Sequence, residues 1–190
     1  YHVADTFFVT HGVGPLAFGG VSIAYPALLA VYSLSMLIAT GSASIITRKL
    51  GEKDVTGAGL VAGNAITLTL VFSVSNTILG VIYLESILRL IGVSDELLPY
   101  AYDYLLPQTI CTTLLMLTVL LVELLRAEGK LAIFAGILIL GSLINIVLDA
   151  LLILGMDMGV SGAAYASIIS HGISLIIVLY FHLNHYSTIS

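Results

Sequence analysis

The sequence predicts an all-α polytopic membrane protein, and three observations carry that prediction. First, 59% of its 190 residues are hydrophobic and 9% charged, with a mean hydropathy of +1.12, whereas a soluble domain carries about 25% charged residues. Second, the apolar residues fall into charge-poor runs about as long as a bilayer is thick. Third, most charges gather in the short breaks between those runs. The net charge of −5 offers no basic surface to phosphates, which excludes a nucleic-acid partner. Cys111 is the single cysteine, so neither an internal disulfide nor a cysteine-based metal site is expected. It reads as a small apolar filler.

Lipid gives the backbone no hydrogen-bond partner, so each crossing needs about 20 apolar residues wound as a helix. Residues 1–11 are apolar but too short to cross. They lie just ahead of the turn-like His11-Gly12-Val13-Gly14-Pro15 and read as the last part of a helix that begins outside this chain. Five full spans follow, the second to the sixth when residues 1–11 count as the first, at residues 15–48, 55–84, 96–125, 131–154 and 159–183. The breaks between them are short, so successive helices run antiparallel. Five of the six basic residues (Arg48, Lys49, Lys53, Arg126 and Lys130) fall in or beside the second and fourth connections, counting the Gly12 turn as the first. The other side has only Arg89, with Glu85, Asp95, Glu96, Asp103 and Asp157. The positive-inside rule therefore places the second and fourth connections, and the chain end at residues 182–190, in the cytoplasm of a cell membrane.

Gly41 with Ser42, Ala43 and Ser44, and the series Gly57, Gly59 and Gly63, are small-residue faces on which membrane helices approach closely. Pro26 and Pro107 each remove a backbone hydrogen bond and favour a bend. Pro26 is the hinge candidate, a static kink being the alternative.

A carboxylate inside the membrane costs about 2.5 to 3.5 kcal/mol on insertion scales and is a functional hypothesis by default. Glu123 has a structural explanation in an i,i+3 ion pair with Arg126. Asp149 and Asp5 have none. Counting about 1.5 Å per residue from the nearest helix end puts Asp149 about 8 Å deep, Asp5 about 10 Å and Ser167 about 12 Å. Asn145 lies one turn from Asp149 on the same face. Three helices thus bring two carboxylates, an amide and a hydroxyl to one depth. If they meet, they offer oxygen ligands to sodium or a carboxyl pair that exchanges a proton; the alternative is a fixed polar network that fastens the helices. His171 is one turn from Ser167 and is a secondary candidate, as are Tyr104 and Gln108. Tyr102, Asn64 and Asn76 read as local helix-to-helix hydrogen bonds. No nucleophile elbow, HExxH, phosphate loop or paired-cysteine motif is present, so neither an enzyme nor an organic cofactor is expected.

The same positions carry a resemblance. The stretches VADTFFVTHGVGPLAFGGVSIAYP, with Asp5, and GSASIITRKLGEKD, with the basic turn Arg48 to Gly51, resemble segments of the multidrug and toxic compound extrusion (MATE) family. So do LLRAEGK, NIVLDALLI (Asn145 and Asp149) and GVSGAAYAS (ending at Ser167). Five segments in the right order span nearly the whole chain. Two departures stand out: Ala150 where a proline commonly follows the aspartate, and Thr10 where a glycine is common.

The resemblance implies the amino-terminal six-helix lobe, its first helix truncated, of a twelve-helix transporter whose carboxy-terminal lobe completes a central cavity. It implies export of small organic, often cationic or amphipathic, compounds in exchange for protons or sodium ions. Asp5, Asn145, Asp149 and Ser167 match the coupling-ion site, Ser167 standing for the usual threonine. Two alternatives remain open. A flippase of lipid-linked saccharides shares the lobe plan, but its anionic substrates call for mid-membrane Arg or Lys, and this lobe has none. A non-transporting scaffold half would use the Asp cluster only as a staple.

Overall fold

The computed structural model describes residues 2–184; the terminal residues expected on the cytoplasmic side, 185–190, lie outside the described residues. Seven α-helices and one π-wound turn form an antiparallel bundle without strands among the described residues: α1 (His2–Gly12), α2 (Pro15–Gly51), α3 (Val55–Ile91), α4 (Leu98–Ile110), α5 (Thr112–Ala127), α6 (Leu131–Asp149) and α7 (Gly159–Leu183), with the π turn Ala150–Gly155 continuing α6. α2, α3, α6 with its π turn, and α7 are each long and apolar enough to cross a membrane, and α4 with α5 together makes one more, broken span. At about 1.5 Å per residue the two 37-residue helices reach about 55 Å, well beyond a hydrocarbon core of about 30 Å.

The helix ends follow local chemistry. Pro15 occupies the first turn of α2, where its missing N–H costs nothing. Asp54 caps α3: its Oδ1 accepts from the Gly57 N–H at 2.9 Å and its Oδ2 from Lys49 Nζ at 2.9 Å. These two donors hold the Asp54 carboxyl below its ordinary value. Gly92, at φ 97°, ends α3 in the left-handed conformation that glycine adopts without strain.

Three expectations are corrected. The third span does not stop at residue 84 but runs to Ile91, because Arg89 is paired with Glu85 one turn earlier and with Asp95 beyond the cap. The fourth span, expected as one helix over 96–125, is two helices inclined by 60° about Cys111. The break falls four residues beyond Pro107 and is held by side chains: Thr112 Oγ1 donates to the Thr109 carbonyl at 2.8 Å, and Thr77 of α3 donates to the same oxygen at 3.1 Å. The fifth span ends in π winding, not α, from Ala150 onward. α2 runs unbroken through Pro26, and α1 runs through Thr10, whose Oγ1 donates to the Thr6 carbonyl at 2.6 Å.

Large apolar side chains cover the outer face of the bundle, as lipid surroundings require. Leu37, Leu60, Ile82, Val147 and Ile176 are all more than 60% exposed. Inside, two apolar clusters stack along the bundle. One, near the Gly14 end, is built on Val9, Val21, Leu88, Leu105 and Ile153. The other, near the Lys53 end, is built on Ile46, Leu120, Leu124, Leu125 and Val178. α7 packs against α4, α5 and α6, while α1 lies against α2, α6 and α7 at the Gly14 end. That placement brings Asp5 to the carboxylate of α6.

Candidate functional site

The four residues singled out by depth meet. Asp5 of α1, Asn145 and Asp149 of α6 and Ser167 of α7 are all buried, in a layer beside the cluster at the Gly14 end. Asn145 Nδ2 donates to Asp5 Oδ1 at 3.4 Å and to Ser167 Oγ at 3.4 Å, and Ser167 Oγ donates to Asp5 Oδ2 at 3.3 Å. A fourth helix joins them. Tyr104 of α4 donates its hydroxyl to Asp5 Oδ2 at 2.6 Å, the shortest bond of the group.

The two carboxyl groups are treated differently by their surroundings. Asp5 accepts from a phenol, an amide and a hydroxyl. Asp149 is fully buried, and among the described residues no donor reaches either of its oxygens. Its charged neighbour is Asp5 itself, close enough for the two to repel when both are ionised. A buried carboxylate without donors is costly, and a bound proton or small cation removes that cost. The arrangement therefore has one carboxyl group held in place and a second open to a cation.

The sequence marks Tyr104 as a secondary candidate, and the structure gives it the α1 carboxylate as its partner. Helix rise carries the signal: Tyr104 lies six residues from the start of α4, about 9 Å down, at the depth counted for Asp5. Gln108 does not reach the carboxylates. Its Nε2 donates to the Tyr104 carbonyl at 3.1 Å and steadies that turn. His171 lies one turn below Ser167, and the two share the lining of a small cavity with Gln108 and Cys111. Glu123 is buried and paired with Arg126 at 2.6 Å, as the i,i+3 spacing indicates. Among the described residues no group of three His, Cys, Asp or Glu is arranged to hold a metal ion. We expect Tyr104→Phe to cost about 1.5 to 3 kcal/mol, the range for a hydrogen bond to a charged group; thermal unfolding in detergent measures it.

The MatE family model matches residues 1–151. The chain belongs to the MatE family. This MatE chain is 29% identical over 179 residues to the FAD transporter of Shewanella oneidensis, covering 92% of this chain and 39% of that protein. It is 29% identical over 183 residues to the multidrug export protein MepA of Staphylococcus haemolyticus, covering 95% of this chain and 40% of the relative. Among solved structures, the MATE multidrug transporter DinF-BH superposes with a TM-score of 0.93 at 34% identity, over 99% of this chain and 42% of the other. The MatE chain thus spans about two fifths of the length of these relatives, and its fold is that of one half-length lobe.

Proposed function

We propose that this lobe works with a second six-helix lobe as a cation-coupled antiporter that exports small organic compounds across the cell membrane. The observation that carries the reading is the buried pair Asp5 and Asp149, one donor-held and one without donors. When a proton, or a sodium ion held by Asn145 and Ser167 as well, enters the pair, the repulsion between the carboxylates falls. α1 is then free to shift, and the hold on substrate weakens. Pro26, in an unbroken α2 beside a cavity of about 390 Å³ lined by α2, α3, α4 and α5, is the place where α2 bends in that exchange. A ligand shifts such an equilibrium only by its differential affinity for the two states, and here the difference is the charge on the pair.

The relatives include a protein named for FAD transport and others named for multidrug export. The charges within this lobe favour the cationic class of substrate. Among the described residues the buried charged residues are Asp5, Glu123 and Asp149, all acidic, and no Lys or Arg lines the 390 Å³ cavity. The same absence weighs against a flippase for anionic lipid-linked saccharides. With Arg48, Lys49, Lys53, Arg126 and Lys130 at one end of the bundle, that end faces the cytoplasm.

The test is efflux of a fluorescent organic cation from vesicles containing the full-length transporter, with the proton and sodium gradients collapsed separately. Loss of efflux with one gradient identifies the coupling ion. Efflux unchanged with both collapsed, or no efflux at all, refutes the antiporter.

A further inference from the structure

A proton bound at the Asp5–Asp149 pair sits near the Gly14 end and must leave at the Lys53 end, across a bundle whose second half is an apolar cluster. Two cavities lie on that way, the second of them bordered by Val122 and Ile137 of the cluster. The first, of about 10 Å³, is lined by Ser167, Gln108, Cys111, Leu114, Leu115, Ile168 and His171. The second, of about 260 Å³, includes His171, Ser174, Thr118, Tyr32 and Glu123 in its lining. His171 is the residue that borders both.

Ser167, His171 and Ser174 follow one another at i, i+4 and i+7 on one face of α7, the spacing that stacks side chains along a helix. Ser167 donates to Asp5 at one end of this row. At the other end Glu123, buried but for its contact with the half-exposed Arg126, borders the same cavity as Ser174. Thr118 ties α5 to the row by donating its hydroxyl to the His171 carbonyl at 3.2 Å, which holds α7 against the helix that carries Glu123. The smaller cavity is near the lower limit for one water and the larger holds several, with hydroxyl, imidazole and carboxylate groups to bond them.

We propose that this row is a proton path internal to the lobe, with His171 as its relay and Glu123 as its exit. It rests on the reading of Asp5 and Asp149 as the coupling site. The O–H bond of the protonated carboxyl pair breaks. The proton passes by way of the Ser167 hydroxyl, which takes one hydrogen and gives up its own, and an N–H bond forms on one ring nitrogen of His171. The imidazolium then loses a proton from its other nitrogen to water in the larger cavity, and Glu123 accepts it before release beside Arg126. One proton is moved and no electrons change hands. The ionisable side chains that face the row are Asp5 from α1, Tyr32 from α2, Tyr104 and Cys111 from the broken span, Glu123 with Arg126 from α5, and Asp149 from α6. His182 follows further along α7 itself. An imidazole carries a proton by bonding at either of two nitrogens and offers nothing comparable to sodium, so the row commits the lobe to protons.

The experiment uses the full-length transporter in proteoliposomes with a pH-sensitive dye on the cytoplasmic side, and measures the rate of proton release there and the equilibrium displacement of bound fluorescent cation by acid. In His171→Gln we expect acid to displace the cation as in the wild type, because the carboxylate pair is intact. Release slows by at least about a hundredfold, the lower end of the range for losing a positioned acid–base group. His171→Gly with added imidazole regains part of the rate, which a purely structural role for the ring does not allow. Glu123→Gln slows release independently and keeps the test open if the His171 variants fold poorly. Release at the wild-type rate in His171→Gln and in Glu123→Gln overturns the path. If Asp149→Asn abolishes both displacement and release in the same preparation, that failure belongs to the path alone; if Asp149→Asn changes neither, the coupling site itself is wrong. Transport with no proton release in the wild type overturns the path outright.

Discussion

Asp149→Asn is expected to abolish ion-driven efflux while leaving the protein folded in the membrane. The asparagine side chain has nearly the same shape, so the packing of α6 against α1 and α7 is kept. What disappears is a buried carboxyl group that, among the described residues, no donor reaches and that repels Asp5 when both are ionised. Removing half of a repelling buried pair stabilises or leaves unchanged the resting fold, whereas breaking an attractive one costs about 3 to 5 kcal/mol. Efflux should fall to the level of empty vesicles, and the thermal midpoint in detergent should equal or exceed that of the wild type. If the cluster is only a staple, the pattern inverts: the midpoint falls and the residual efflux keeps its ion dependence. Asp5→Asn separates the roles of the two groups further. Asp5 accepts from Tyr104, Asn145 and Ser167, so its replacement leaves those donors mismatched and lowers stability as well as coupling.

The second large effect is expected at Gly20. α2 and α4 approach so closely there that a Cβ on residue 20 would lie 2.5 Å from Tyr100 Cβ, 3.1 Å from the Ala101 nitrogen and 3.2 Å from the Leu97 oxygen. Two of these three obstacles are backbone, which cannot rotate away. Gly20→Leu should therefore prevent accumulation of folded protein. Gly20→Ala should cost about 1 to 3 kcal/mol, the range for overpacking a close-packed interior, read as a lowered midpoint. Any helix displacement that relieves the clash carries Tyr104 with it, because Tyr100 and Tyr104 are one turn apart on α4. Efflux should thus fall further than stability alone explains. Gly63, with nothing within 4 Å of its added Cβ, is the control: Gly63→Ala should gain about 0.5 to 1 kcal/mol through helix propensity.

The spans were legible because lipid imposes one requirement, a satisfied backbone over about 20 apolar residues, and the sequence meets it in five places. The candidate site was legible for a related reason. Few polar residues lie in those runs, and counting helix rise from the turns at Gly12 and Gly159 put Asp5 and Ser167 at nearly one depth with Asp149. What the count lacked was rotation about the helix axis. It did not tell that Tyr104 turns toward Asp5 while Gln108, one turn away, does not. The end of α3 escapes such a reading because Arg89 looks like the start of a connection. Its two acidic partners satisfy it within the last turn, and Gly92 is the sounder signal. Pro107 announced a bend in this span but not its place at Cys111, four residues on, because the carbonyl that holds the bend is bonded by Thr112 and by Thr77 on another helix. The cavity that joins His171 to Glu123 was equally out of reach. It is made by α2, α5, α6 and α7 together, and no one segment announces it.

The π turn that follows Asp149 gives α6 a spare residue. Winding Ala150–Gly155 as ordinary α-helix changes the angular register between the two sides of the turn by about one residue, or about 100°. Asp149 stands at the last position before that slack, and the connection to α7 begins just after it. The aspartate can therefore keep its bearing on Asp5 while the Gly155–Gly159 segment swivels, or swing away while that segment stays still. Like a swivel in an anchor chain, the extra residue uncouples rotation at the two ends of one helix, so the buried aspartate and the loop above it need not turn together.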